Sequence, residues 1–190
     1  YRYDWGYNAQ GNPVLNNISM RKYLDGAGTT PADDTDWFDK TTRTGVVQNY
    51  NVAVSSGSDR HSSYFSLGYY KNLGIIKTSD FDRYSARINT EYKLIKDVLT
   101  VGEHFALSRT SEVQAPGGFL ENVLQFNPSL PVYTEKGTYA GPVGGYPDRE
   151  NPVARLYRNS NNRYIYWRTF GDAYINLHLF KGFNLRSTFG

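Results

Sequence analysis

Asp59, Arg60, His61 and Ser62 bring the residue types of a hydrolase together in consecutive positions. A nucleophile, its base and the orienting acid are assembled by tertiary geometry, however, and neighbours in one short turn do not form that relay. The spacing fits a solvated turn. His61, His104 and His178 fall on separate segments without ligand spacing, so they promise no metal site. The acidic stretch DDTDWFDK, Asp33 to Lys40, lacks the glycine at position six and the distal glutamate of an EF-hand loop. PGGF and GPVGGYP lack the lysine and Ser/Thr of a phosphate loop and read as turns. We expect neither an enzyme nor a bound cofactor.

Composition narrows the elements that these residues sit on. In 190 residues the apolar content is 39% and the aromatic content 16%, with 17 tyrosines, so aliphatic packing cannot be the whole design. Tyrosine suits a boundary, its ring in an apolar medium and its hydroxyl in water. The net charge of +3 is scattered rather than gathered into a basic stripe, which argues against nucleic acid. Without cysteine there is no disulfide framework and no Cys-based metal site, which suits a cell envelope as well as a cytosol. The opening YRYDWGYNAQ has no charged start and apolar h-region, and no window approaches the roughly 18 apolar residues of a membrane helix. Neither a signal peptide nor a helical anchor is expected in it. The closing FNLRSTFG stops inside a patterned run, as a piece of a longer chain would.

Period-two alternation marks the strands. Gln48 to Ser55 sets Tyr50, Val52 and Val54 against Asn49, Asn51, Ala53 and Ser55, and Ser63 to Tyr70 sets Phe65, Leu67 and Tyr69 against Tyr64, Ser66 and Tyr70. In Phe81 to Lys93 the recurrence of Tyr84, Ile88 and Tyr92 also fits a helix. A strand is the better reading, because it gathers Arg83, Ser85, Arg87, Asn89 and Glu91 on one polar face. Leu99 to Ser108 aligns Leu99, Val101, Phe105 and Leu107, with Glu103 an unexplained interruption. Arg168 to Leu179 and a run from Gly182 onward complete the set.

The connections are more telling than the strands. SGSDRH, LIKDV and FKG are short and alternate with the longer KNLGIIKTSD and an irregular stretch from Ala115 to Arg163. If the strands run up and down in order, all short turns fall on one side and all long loops on the other. That asymmetry belongs to outer-membrane barrels, whose tilted strands need about 9 to 11 residues to cross. A long structureless loop also counts against a compact soluble domain. The other reading is a soluble all-β carbohydrate-binding module with a tyrosine-rich surface.

The chain resembles the SusC/RagA family of TonB-dependent outer-membrane transporters. The resemblance rests on TDWFDKTTRTGVVQNYNVAVSSGSDRHSSYFSLGYYKNLGIIKTSDFDRYSARINTEYKL, on PSLPVYTEKGTYAGP and on NPVARL; it is strong over residues 35 to 108 and good over 126 to 190. It implies an all-β, antiparallel up-and-down transmembrane barrel segment, about six strands of a plugged barrel of roughly 22. The plug, the TonB-contacting segment and the signal peptide have no counterpart here. The implied organisation is an extracellular loop region over residues 1–45, four barrel strands over 46–108, a long extracellular loop over 109–163, and two strands over 164–190, the last truncated. The implied partners are a SusD-like surface lipoprotein, TonB, outer-membrane lipid and an oligosaccharide or peptide cargo.

On that reading Val52, Val54, Phe65, Leu67, Ile88, Val101 and Phe105 meet acyl chains, and Asn49, Asn51, Ser66, Arg83, Arg87 and Asn89 face a wet lumen or the plug. Tyr50, Tyr69, Tyr84 and Tyr92 are candidates for the aromatic girdles. Trp37, Phe38, Tyr133, Tyr139 and Tyr146 sit in the longer loops, where aromatics either grip a substrate or partner or pack the loops against one another.

Overall fold

A computed structural model describes residues 2–19, 21–95, 98–143 and 149–190. The chain divides into two compact units, Tyr1–Thr42 with Ala115–Asn159, and Arg43–Gln114 with Ser160–Gly190.

The first unit holds the hairpin β1 (Arg2–Tyr7) and β2 (Pro13–Ser19) and three helices, α1 (Trp37–Thr41), α2 (Phe119–Gln125) and α3 (Pro152–Asn159). Residues 1–45 and the long connection are therefore structured, not only loop. The Asp33–Lys40 carboxylates are used locally. Asp36 caps α1 by accepting from the Asp39 amide at 3.0 Å, and Asp33 accepts from Thr35 Oγ1 at 3.1 Å. Leu24, Trp37, Phe119, Val123, Phe126 and Leu130 are buried. They give this unit a core of its own.

The second unit is one antiparallel sheet in sequence order: β3 (Val46–Gly57), β4 (His61–Leu73), β5 (Asp80–Ile95), β6 (Leu99–Val113), β7 (Arg163–Phe180) and β8 (Phe183–Phe189). The ambiguous third run is the sixteen-residue strand β5. Partner residues in an antiparallel ladder share a face, so the register reads as rows across the sheet. One row runs Val54, Phe65, Ile88, Phe105, Gly171, and the next Val52, Leu67, Ala86, Leu107, Thr169. Beside them run Tyr50, Tyr69, Tyr84, Arg109 and Trp167. Three girdle candidates thus lie in a single row, joined by a tryptophan.

Tyr92 stands on the same face ~27 Å further along β5 at 3.4 Å per residue. Glu103 also finds its context. Its row is Ser56, Ser63, Thr90, Glu103, a hydroxyl band one step from Tyr92, and Thr90 Oγ1 donates to Glu103 Oε1 at 3.1 Å.

The turn between β3 and β4 is closed by Ser58. Its amide donates to the His61 carbonyl at 2.7 Å, and its Oγ lies 2.7 Å from His61 Nδ1. Ser62 has already entered the strand opposite Glu91, so the four residues with hydrolase chemistry are spent on a turn and its first ladder pair. At the other end of the sheet, the β4–β5 loop is clamped by Arg43. The Arg43 amide donates to Ile75 O at 2.7 Å, Nε to Gly74 O at 3.0 Å and Nη2 to Ser79 O at 2.7 Å. Thr78, at φ 73°, occupies the left-handed region that a β-branched residue avoids, so the loop needs outside support.

Replacing Arg43 by alanine removes two charge-assisted bonds, each worth about 1.5–3 kcal/mol. Hydrogen exchange of the Gly74 and Ser79 amides is expected to accelerate by an order of magnitude or more, while amides in the middle of β4 and β5 keep their wild-type rates. Unchanged exchange at Gly74 and Ser79 would show that the clamp does not hold the loop.

Candidate functional site

The face of the sheet opposite the aromatic row is polar from strand to strand. Asn49, Tyr70, Arg83, Thr110 and Tyr166 form one row, Asn51, Gly68, Ser85, Ser108 and Arg168 the next, and Ala53, Ser66, Arg87, Ala106 and Phe170 the third. A fourth row holds Ser55, Tyr64, Asn89, His104 and Asp172. Asn49, Asn51, Arg83, Arg87 and Asn89 therefore share one face, and Asn51 Nδ2 donates to Asn49 Oδ1 at 3.0 Å.

Toward the short-turn end this face carries a built cluster. Tyr174 is 6% exposed and lies over Gly102, where an added Cβ would come within 2.4 Å of its ring. Its hydroxyl donates to Glu91 Oε2 at 2.6 Å, the Arg186 guanidinium sits 4.0 Å from its ring centroid, and His104 stacks beside it at 5.7 Å. Asp172 faces His104 Nδ1 at 3.2 Å. Alternation along the run from Arg168 to Leu179 puts Arg168, Asp172 and Tyr174 on one side of it. The signal was alternation alone, since nothing in the sequence says which strands lie beside β7.

In the loop unit the nominated aromatics separate. Trp37 is 4% exposed, donates from Nε1 to Asn127 O at 3.0 Å and meets Phe126 edge-on at 4.7 Å. As a surface contact it is corrected: the ring is consumed in packing. Phe38, one position on in a helix of five residues, is 53% exposed. Tyr133 and Tyr139 stack at 5.1 Å, and Tyr157 of α3, which the sequence reading missed, adds a third ring 6.2 Å from Tyr139. Desolvation and the hydrogen bond with Tyr133 raise the Tyr139 hydroxyl above the ordinary tyrosine range. Tyr133 also borders a groove of about 720 Å³ with Pro31, Asp33, Lys40 and Val153 along it. Tyr146 lies outside the described residues.

No family model matches the chain. Curated relatives do. A TonB-dependent receptor of Formosa agariphila is 31% identical over 156 residues, which are 81% of this chain and 15% of that protein. The TonB-dependent receptor SusC of Bacteroides thetaiotaomicron is 31% identical over 122 residues, 61% of this chain and 12% of that one. Among solved structures, the RagAB peptide importer in its closed-closed state superposes with a TM-score of 0.62 at 21% identity, over 85% of this chain and 19% of that one.

The chain belongs to the SusC/RagA family of TonB-dependent proteins. It spans about 15% of the length of the curated relatives it matches, and its sheet is a segment of the family's antiparallel barrel. In a SusC/RagA segment of this kind the two candidate surfaces differ in kind, a polar wall built on rigid strands and an aromatic cluster built on packed loops.

Trp37→Ala is expected to cost the loop unit about 3–5 kcal/mol, the usual loss for a buried large aromatic. Phe38→Ala is expected to stay within about 0.5 kcal/mol, as an exposed side chain does. Limited proteolysis of the full-length protein across residues 115–159 in rising urea separates the two. Equal resistance in both variants would contradict the buried role of Trp37.

Proposed function

We propose that this chain is the wall and outer loops of an outer-membrane transporter, importing oligosaccharides or peptides in a TonB-dependent manner beneath a SusD-like surface lipoprotein. The observation that carries the reading is the pair of unlike faces on one continuous sheet. Val52, Val54, Leu67, Phe65 and Phe105 share one face and are 42–68% exposed, leaving a broad apolar surface of the kind that water does not tolerate bare. The row Tyr50, Tyr69, Tyr84 and Trp167 at its upper margin suits the headgroup level.

Lipid on this side and water on the other satisfy both surfaces with no apolar core between them. The short turns then lie on the periplasmic side, and the β4–β5 and β6–β7 connections lie outside with residues 1–45. We assign the loop aromatics Phe38, Tyr133 and Tyr139, with Tyr146 of the same connection, to contact with cargo or lipoprotein, and the Asn and Arg side chains of the polar face to the border of lumen and plug. TonB acts through the plug, which other parts of the protein supply.

The chain itself contains no cysteine, so single thiols are introduced in it for spin labels in a full-length protein whose other cysteines, where there are any, are replaced by serine. In the full-length protein in liposomes, labels at Asn51→Cys and Ala53→Cys should be reached by a water-soluble nickel relaxant. Labels at Val52→Cys and Val54→Cys should be reached by oxygen dissolved in the bilayer. Absence of that alternation, or a full-length protein that is monodisperse in plain buffer, would overturn the transporter reading.

A further inference from the structure

Three arginines meet around one hollow on the polar face. Arg83 and Arg87 project from β5, and Arg168 projects from β7 on the far side of β6. Between them β6 contributes only Ala106 and Ser108, side chains too short to fill the space, and Phe170 forms an apolar edge at 76% exposure. The result is a groove of about 350 Å³ lined by all six residues, within the size range of small-molecule sites. With strands ~4.8 Å apart, the two arginine-bearing strands stand about 10 Å from each other.

Among the described residues no carboxylate lies within ion-pair distance of Arg83, Arg87 or Arg168. Arg83 and Arg168 instead lie near the rings of Tyr70 at 5.8 Å and Tyr166 at 5.3 Å. The acids of the same face are engaged elsewhere, Glu91 by Tyr174, Asp172 by His104 and Glu112 by Gln114. Guanidinium groups hold carboxylates in a planar two-point geometry, and cationic side chains lining a pore select anions.

We propose that Arg83, Arg87 and Arg168 form a carboxylate-binding station on the lumen wall, through which an oligomer bearing several carboxylates passes. The station rests on the transporter reading above and adds to it the charge class of the cargo. A pair of cations on one strand and a third across a small-residue floor fit successive carboxylates along an oligomer better than a single buried counter-ion. The open floor leaves room for the backbone or ring that joins them.

The test uses the full-length protein in detergent micelles at low ionic strength, with isothermal titration calorimetry. The probes are hexaglutamate and hexagalacturonate as acidic oligomers, and hexaserine and maltohexaose as their neutral counterparts. The wild type is expected to bind at least one acidic probe, and the arm that binds tells whether the carboxylates come from a peptide or a sugar. In Arg83→Gln/Arg87→Gln/Arg168→Gln that affinity should fall about tenfold or more, three partly exposed charge pairs being removed. Affinity for the neutral probes should not change. The substitutions exchange one polar side chain for another on an exposed face, and a heat-modifiable band on a denaturing gel verifies the fold of each protein.

Equal binding of acidic probes by both proteins, or binding by neither, overturns the station. So does a variant that binds acidic probes like the wild type but conducts more in planar bilayers, since the arginines then hold a segment inside the barrel. A folded, heat-modifiable barrel that fails the binding arms sinks the station alone. A protein with no such band, soluble without detergent, sinks the transporter reading with it.

Discussion

A backbone amide in hydrocarbon has no water to bond, and leaving it unpaired costs several kcal/mol. Everything in the sheet follows from that demand. From β3 to β8 each strand pairs with its sequence neighbour, so β4, β5 and β6 spend their amides and carbonyls on two ladders, and β7 does so from Ala173 onward. β3 and β8 each have a partner on one side only among the described residues, and in a bilayer an open edge of this length does not persist. The sheet is a sector whose edges other strands must cover. Its short turns are equally constrained, as in the β3–β4 connection, where Ser58 and His61 satisfy each other.

Pairing alone does not say which way the side chains point. Register does, because a shift of one residue carries a whole strand's side chains to the opposite face. Tyr50, Tyr69, Tyr84 and Trp167 come from four strands and as many alternation patterns, and only their common register makes a row of them. The same register brings Ser56, Ser63 and Thr90 beside Glu103. In the sequence that carboxylate interrupts an apolar face. In the sheet it belongs to a polar step near the margin of the band, with a hydroxyl bonded to it.

The strands were legible where their two faces meet different solvents, and only there. Beyond the tyrosine row, the apolar face gives way to Gln48, Lys71, Asp82 and Ser111, while the other face continues with Asn49, Arg83 and Thr110. Both sides are then wet and alternation carries no signal, although the ladder runs on to Val113 and begins again at Arg163. Hence the sequence reading stopped β6 at Ser108 and started β7 at Arg168. In the loops the difficulty is different. A five-residue helix is too short for a periodic pattern, so nothing in WFDKT distinguishes the buried Trp37 from the exposed Phe38. The Tyr133, Tyr139 and Tyr157 cluster depends on how one irregular connection folds back to bring α3 beside Tyr139.

The modest apolar content averages two designs. The loop unit turns Leu24, Phe119, Val123 and Leu130 inward, as a water-soluble core does, whereas the sheet turns Val52, Leu67 and Phe105 outward. In such a sheet charged residues become determinants of structure. In the transporter proposed above, Arg83, Arg87 and Arg168 are tolerated because their face meets water. Slipped by one residue, Arg87, between Ala86 and Ile88, would point into hydrocarbon at about 2–4 kcal/mol, whereas Arg83 and Arg168, beside the tyrosine row, would cost about 0–1 kcal/mol each. Arg87 therefore does more than line a groove: with the apolar rows behind it, it opposes the alternative register, so a residue that gives the wall its charge also helps to hold its strand in place.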